Sequence, residues 1–282
     1  MTKDTLLLVD GHNLLFQMFY GMPARIVNPD GKAIQGTLGF VGALIRMIQM
    51  TVPTHLIVLF DGEHVNARTE LLPEYKANRP DYSAVAEADN PFSQLEDIYR
   101  ALDFMGIVHT ECTAVEADDV IAAYARTCGQ TLDVVIASWD SDFFQLLDEH
   151  ISILRYRGKH TALCTPAWLR EKYDISPAQY ADFKSLTGDA ADNIKGAEKI
   201  GPKTAARLLN RFGTLEDILQ NTSQLERPAW RESIEKSARQ LKVNYQLIDL
   251  DGNAPLPFPL ERLAYVYNGV SSTDVLRGIH LK

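Results

Sequence analysis

Three short apolar runs that each close on acidic residues constrain this chain more than any other feature. Thr5-Leu6-Leu7-Leu8-Val9 ends in Asp10-Gly11, and His55-Leu56-Ile57-Val58-Leu59-Phe60 ends in Asp61-Gly62. Asp133-Val134-Val135-Ile136-Ala137-Ser138 leads into Trp139-Asp140-Ser141-Asp142. Runs this short and this continuously apolar predict strands buried on both faces, as in a parallel sheet. Helical periods over 14–20, 37–50 and 92–104 supply the crossovers that parallel strands need. Residues 151–154 and 161–164 read as further strands, in a hairpin around Arg157-Gly158-Lys159. The expected fold class is α/β, a mostly parallel central sheet with helices on both faces.

An aspartate at a strand end is more often a turn or cap residue than a ligand. Open α/β sheets nevertheless bind their ligands at that same edge, and other acids tip the balance. Glu116-Ala117-Asp118-Asp119 crowds three carboxylates into four positions at the start of a helix-period run, with Glu116 and Asp119 neighbours at i, i+3. A helix dipole accommodates one or two acids in its first turn. Three repel one another unless cations neutralise them. Gly188-Asp189-Ala190-Ala191-Asp192-Asn193 adds a further pair at i, i+3. The candidates are then Asp10, Asp61, Glu116, Asp118, Asp119, Asp140, Asp142, Asp189 and Asp192. Oxygen ligands without His or Cys select hard ions such as Mg²⁺ or Mn²⁺. Two of these about 4 Å apart stabilise both the attacking and the leaving oxygen of an in-line phosphoryl displacement. With no Ser or Cys nucleophile paired to a His base, water carried by a metal is the expected nucleophile.

A formal net charge of -9 over 282 residues ordinarily argues against a nucleic-acid partner. That inference fails when many of the acids share one site, because bound cations reverse the local field. Residues 64–91 turn polar and in places basic, with Arg68, Lys76 and Arg79 interleaved with Tyr75 and Tyr82. They read as a mobile, arch-like segment outside the core; taken alone it is a solvated surface loop, and beside an acidic site it becomes a candidate for gripping a phosphate backbone. Thr165-Pro166 and Ser176-Pro177 are N-cap plus N1 proline signatures, and from there the chain turns helical. We therefore expect an α/β core over 1–174 and a helical region over 175–282. Gly196-Ala197-Glu198-Lys199-Ile200-Gly201-Pro202-Lys203-Thr204 narrowly misses a P-loop. Pro202 interrupts the Gly-Lys-Thr junction and no apolar strand precedes it. The better reading is a turn that starts a helix over 203–212, with Lys203, Arg207 and Arg211 on one face. Backbone N–H groups at such a helix start, flanked by Lys195 and Lys199, form a ready phosphate site. Cys112, Cys128 and Cys164 make neither a metal pair nor a disulfide framework. With no signal-peptide pattern and no membrane-length apolar run, the expectation is a soluble, cytoplasmic monomer without a membrane partner.

Collected, the motifs resemble the 5′ nuclease superfamily: the 5′–3′ exonuclease domain of bacterial DNA polymerase I, the phage 5′ nucleases and the flap endonucleases. The resemblance rests on Val9-Asp10-Gly11, Phe60-Asp61, Glu74-Tyr75-Lys76-Ala77-Asn78-Arg79, Glu116-Ala117-Asp118-Asp119, Asp140-Ser141-Asp142 and Gly188-Asp189 with Asp192-Asn193. It extends over most of the chain, to at least Ile218. It implies a structure-specific DNA nuclease that trims 5′ ends and cuts 5′ flaps in replication and repair, acting on flaps, nicks, 5′ ends or RNA primer–DNA hybrids. It further implies two Mg²⁺ (or Mn²⁺) ions. Asp10, Asp61, Glu116, Asp118 and Asp119 would form the tighter site, and Asp140, Asp142, Asp189 and Asp192 the second. Lys76 matches the lysine that faces the scissile phosphate and Arg79 its basic neighbour, with Tyr75 placed to stack on a base.

Ile200-Gly201-Pro202-Lys203-Thr204 is similar to the second half of the family's helix-hairpin-helix element. The resemblance implies duplex binding through Lys199, Gly201, Lys203, Thr204 and Arg207, and a K⁺ ion on the hairpin carbonyls. Three positions depart from the pattern. Lys199 stands where the family has a glycine, and a lysine there is expected to resist positive φ. Lys195 replaces a proline, and Trp139 replaces a small residue. No polymerase or proofreading domain follows, so a stand-alone nuclease is expected. One rival is a DNA-binding module without chemistry, which a missing acid would have favoured. The other is a PIN-type ribonuclease, against which the hairpin turn argues.

Overall fold

A computed structural model describes residues 4–62 and 67–281. In chain order the elements are β1 (Thr5–Asp10), α1 (Gly11–Gly21), α2 (Gln35–Thr51), β2 (His55–Asp61), α3 (Ala67–Leu71), α4 (Leu95–Phe104), β3 (Val108–Cys112), α5 (Ala117–Cys128), β4 (Asp133–Ala137), β5 (Ile151–Arg155) and β6 (Ala162–Cys164). The helical half follows as α6 (Pro166–Tyr173), α7 (Tyr180–Thr187), the two-residue strands β7 (Gly188–Asp189) and β8 (Ile194–Lys195), α8 (Pro202–Phe212), α9 (Leu215–Gln220), α10 (Pro228–Ile248) and α11 (Ser272–Gly278).

Six strands form one sheet in the order β3-β2-β1-β4-β5-β6. All neighbours run parallel except the last pair, the expected hairpin, which is antiparallel. The chain leaves β1 toward β2 and β3, then returns to the other side of β1 to add β4. That reversal opens a crevice at the carboxyl ends of β1 and β4, where open α/β sheets hold ligands. Leu8 pairs with Ile57 on one side and Ile136 on the other. The in-register strands therefore finish together, and Asp10, Asp61 and the Asp140 turn arrive at one edge.

Alternation along the strands divides the core in two. Leu6, Leu8, Ile57 and Leu59 face α5, and this apolar cluster continues without a break into Leu208, Leu209, Leu215, Ile218 and Ile234 of the helical half. Leu7, Val9, Leu56, Val58 and Phe60 face α1, α2, α4 and α11. Burial of the strands on both faces is what their continuous apolar runs require. Edge strand β3 was not expected from the sequence. His109, Thr110 and Glu111 leave it half-buried or exposed, so it lacks the apolar run that marks the central strands.

The capping residues act as their types predict. Thr165 accepts from the Trp168 N–H at the start of α6, and Ser176 closes a capping box with Gln179. No helix among the described residues is long and apolar enough to cross a membrane.

Candidate metal centre and its surroundings

Asp10 has two tasks. As the N-cap of α1 it accepts from the Asn13 N–H at 3.0 Å, and its other oxygen accepts from the Ser138 hydroxyl at 2.8 Å. The close approach of α1 to the sheet requires Gly11, because a Cβ there would lie 2.4 Å from the Phe60 ring. Asp61 accepts from the Ala117 N–H at 2.8 Å, which ties the end of β2 to the start of α5. Asp140 accepts from the Asp142 N–H at 2.8 Å, holding the turn after β4.

Asp10, Asp61, Asp118 and Asp140 line one cavity of about 570 Å³. Phe16, Tyr82 and Phe92 also line it and meet edge to face with centroids 5.3–5.5 Å apart. Beside the cavity, Asp142, Asp189 and Asp192 bring carboxylate oxygens within 4.8 Å of one another. Asp189 and Asp192 reach that place through the tight β7–β8 ladder. Gly188 there holds φ +80°, with the backbone of Gly196 against it.

The electrostatics record the crowding. Burial, reinforced by Asp61 and Asp140, pushes the Asp10 carboxyl up to about 7. Burial together with Asp140, Asp10 and Asp61 raises Asp118 well above the carboxylate range. Burial and Asp140 carry Asp142 up to about 7 against the pull of Lys184, and burial also raises Asp192. Buried like charges need cations. The donor set, carboxylate oxygens without nitrogen or sulfur, fits a hard divalent ion.

The raised carboxyls set a pH dependence for metal-free protein. Asp10 and Asp142 favour the protonated form when folded. Their contribution to stability is complete below a pH of about 4, the usual carboxyl value, and is lost as the pH rises through about 7. A divalent ion takes the place of those protons. The increase in unfolding temperature on adding Mg²⁺ to EDTA-stripped protein should therefore be larger at pH 8 than at pH 6. Equal increases at both would show that these carboxyls are not displacing protons for metal.

The structure also corrects several expectations. Glu116 and Asp119 do not line the cavity with the other acids. Arg68, reaching back from α3, donates to Glu116 at 2.5 Å and makes a two-pronged pair with Asp119 at 2.8 Å. Asp119 also accepts from the Asp251 N–H at 2.9 Å. Asp140 lines the cavity with Asp10, Asp61 and Asp118, while Glu116 and Asp119 are held by Arg68. Tyr75 is a core residue only 6% exposed, packed with Ala181, Ile194, Leu247 and Ile248, and has no face free for a base. Residues 64–66 of the arch-like segment lie outside the described residues. The rest of it is more closely docked than its polar composition implied, since Lys76 donates its N–H to the Asp192 carbonyl at 3.1 Å. The Lys76 ammonium sits 3.0 Å from Glu116, and Arg79 pairs with Asp192 at 3.0 Å. Lys199 does adopt positive φ, +64°.

At the hairpin turn, Gly201 is extended and precedes α8, with the Thr204 N–H closing on its carbonyl at 2.9 Å. Lys203, Arg207 and Arg211 lie exposed on one face, the latter two paired with Glu226 at 2.5 and 3.4 Å. Lys184 of α7, whose ammonium pairs with Asp142 and Asp189, escaped the sequence reading altogether, and Arg68 was read only as part of a basic loop, not as the partner of Glu116 and Asp119. Neither has a local signal, because their partners are set by the fold.

Comparison with known proteins agrees with this geometry. Two family models match the chain, "5′-3′ exonuclease, N-terminal resolvase-like domain" over residues 5–174 and "5′-3′ exonuclease, C-terminal SAM fold" over 175–269. The thermostable DNA polymerase I of Thermus aquaticus is 36% identical over 255 residues, 90% of this chain and 29% of the relative. DNA polymerase I of Streptococcus pneumoniae strain R6 is 34% identical over 272 residues, 94% of this chain and 30% of the relative. The chain thus spans less than a third of the length of these curated relatives. Among solved structures, T5 5′-exonuclease with divalent zinc bound superposes with a TM-score of 0.73 at 25% identity, covering 98% of this chain and 99% of that one. The catalytic core of Rad2 in complex with a DNA substrate shares the fold, with a TM-score of 0.62 at 16% identity over 98% of this chain and 86% of that one. With both family models matched end to end over nearly all of its length, the chain belongs to the 5′–3′ exonuclease family.

Proposed function

We propose that this chain hydrolyses DNA phosphodiester bonds at 5′ ends and 5′ flaps, using two Mg²⁺ or Mn²⁺ ions. The observation that carries this is the convergence of Asp10, Asp61, Asp118 and Asp140 on one cavity, with Asp142, Asp189 and Asp192 clustered beside it. Bound divalent ions would supply charge neutralisation at the phosphate and a water acidified for attack. The protein's own groups do the rest. Asn13, Ser138 and Ala117 each take one lone pair of a carboxylate and orient the remainder toward the cavity. Arg79 in the cavity wall, and Lys76, whose charge acts on Asp118 from beside Glu116, would bring positive charge to a phosphate bound there. Phe16, Tyr82 and Phe92 offer the stacking surface that Tyr75 cannot, and stacking on such rings tolerates any base.

The exposed face of α8 would hold the duplex backbone, with Lys199, Gly201, Lys203, Thr204 and Arg207 at its start. A K⁺ ion at that turn remains part of the reading, because Lys199 at φ +64° gives the backbone the course a glycine would. The double variant Lys203→Ala with Arg207→Ala should weaken duplex binding and lower its salt slope by about two, roughly one per lost phosphate contact. An unchanged slope would make this face ordinary solvated surface. The activity itself is tested by digesting 5′-flap, nicked, blunt and single-stranded substrates, in DNA, RNA and RNA–DNA hybrid form, with Mg²⁺ or EDTA. Cleavage at 5′ structures of DNA that EDTA stops is the expected result. Cleavage confined to single-stranded RNA, or persisting in EDTA, would sink the proposal.

A further inference from the structure

Lys184 is among the few charged side chains buried in this protein, at 6% exposure. It sits one turn before the C-terminus of α7 and points into the cluster of Asp142, Asp189 and Asp192. Its ammonium ion-pairs with Asp142 and Asp189 together and lies 3.4 Å from the Ser141 hydroxyl. Those two carboxylates belong to the triad whose oxygens gather within 4.8 Å. Asp192, the third, is drawn from its other side by Arg79.

A lysine in this position has two consequences. Three carboxylates this close repel, and a fixed positive charge holds them in place without any ion. The same charge also occupies oxygens that a divalent ion would use, and it repels that ion. Among the described residues, Asp10 and Asp61 instead accept hydrogen bonds from the neutral groups Asn13, Ser138 and Ala117 and make no salt bridge.

Resting on the metal-dependent reading above, we propose that Lys184 is a built-in monovalent cation that weakens divalent binding at Asp142, Asp189 and Asp192. It thereby makes that cluster the second to fill. Lys184 is a positioning residue: it acts through the carboxylates it holds. Filling order then follows from charge. The cavity acids load first, and the Lys184 cluster loads at higher ion concentration, or when a DNA phosphate adds its own negative charge.

The test is Mn²⁺ binding to the protein alone, counted by electron paramagnetic resonance of the free ion. Wild type should show one tighter and one weaker class of site. Lys184→Met should tighten the weaker class at least about tenfold, since removing a unit charge some 4 Å from a divalent ion matters even at an effective dielectric of about 20. Lys184→Arg, which keeps the charge, should leave the isotherm near wild type. Adding Asp142→Asn to Lys184→Met should abolish the tightened class, which assigns it. Lys184→Gln provides the same comparison should the Met variant fail to fold. Superimposable isotherms for wild type and the uncharged variant, or a tightened class that survives Asp142→Asn, would overturn the inference. Wild type binding no Mn²⁺ at all would instead overturn the metal-dependent reading beneath it.

Discussion

Asp118→Ala and Asp140→Ala should each lower cleavage of a 5′-flap substrate at least about 10³-fold in Mg²⁺, the several kcal/mol that a metal contributes to such a transition state. Both carboxylates line the cavity, and Asp140 is the largest charge raising Asp118 after burial. Neither makes a salt bridge among the described residues, so their removal leaves no buried cation unpaired. The fold should survive, and relief of like-charge crowding should keep the metal-free protein at least as stable. Flap binding in Ca²⁺ should remain within a few fold, because the contacts that hold DNA are spread over many phosphates. Near-normal turnover in either variant would show that the cavity is not where the chemistry occurs. Loss of folding, read from thermal unfolding, would assign these acids to the scaffold instead.

The second large effect belongs to Lys76. Its backbone holds φ +57° and its ammonium is fixed 3.0 Å from Glu116. Burial works against its charge, yet Tyr75, Asp118 and Glu116 outweigh it and raise the ammonium above its usual value. A preorganised cation costs no reorganisation when charge builds on the phosphate. Groups of that kind are worth about 10² to 10³ in rate. Lys76→Ala should lower single-turnover cleavage by about that factor while flap affinity, measured in Ca²⁺, changes only a few fold. Equal losses in rate and affinity would make Lys76 a docking residue. A purely structural role has its own signature, since truncation would strand the Glu116 carboxylate and lower the unfolding temperature without a selective effect on the bond-breaking step. Lys76→Arg then discriminates further, because it keeps the charge but not the compact shape of the ammonium.

The centre was legible in the sequence wherever it is built from local pattern. Apolar runs of five or six residues, rich in Val, Ile and Leu and each closed by Asp-Gly or an acidic turn, are too short for buried helices and read as buried strands. A parallel sheet brings their ends to one edge, so Asp10, Asp61 and Asp140 had to meet. The first-turn acids of α5 and the Gly201-Pro202 turn were likewise readable, because caps and turns depend on a few neighbouring positions. Even the wrong expectation for Lys199 followed a sound local rule. The surrounding structure, with Ile200 and Ala197 buried and the Glu198 carbonyl accepting from Ser233 at 2.5 Å, holds that lysine at positive φ regardless.

What the tertiary structure alone decided is which charges neutralise which. Arg68 meets Glu116 and Asp119 across 48 and 51 positions, and Lys184 meets Asp142 across 42. No periodicity encodes such distances, and a basic residue in a polar stretch reads as surface until the fold buries it. Once it is buried, the cost of removing a charge from water must be met by a partner at contact distance. That condition selects the partner only after the helices have packed. It turned Tyr75 and Lys76 from solvated loop residues into parts of the core and the site. It also moved Asp119 from the cavity to an internal ion pair. The sequence determined which acids gather at the sheet edge, and packing determined which of them remain open to a cation.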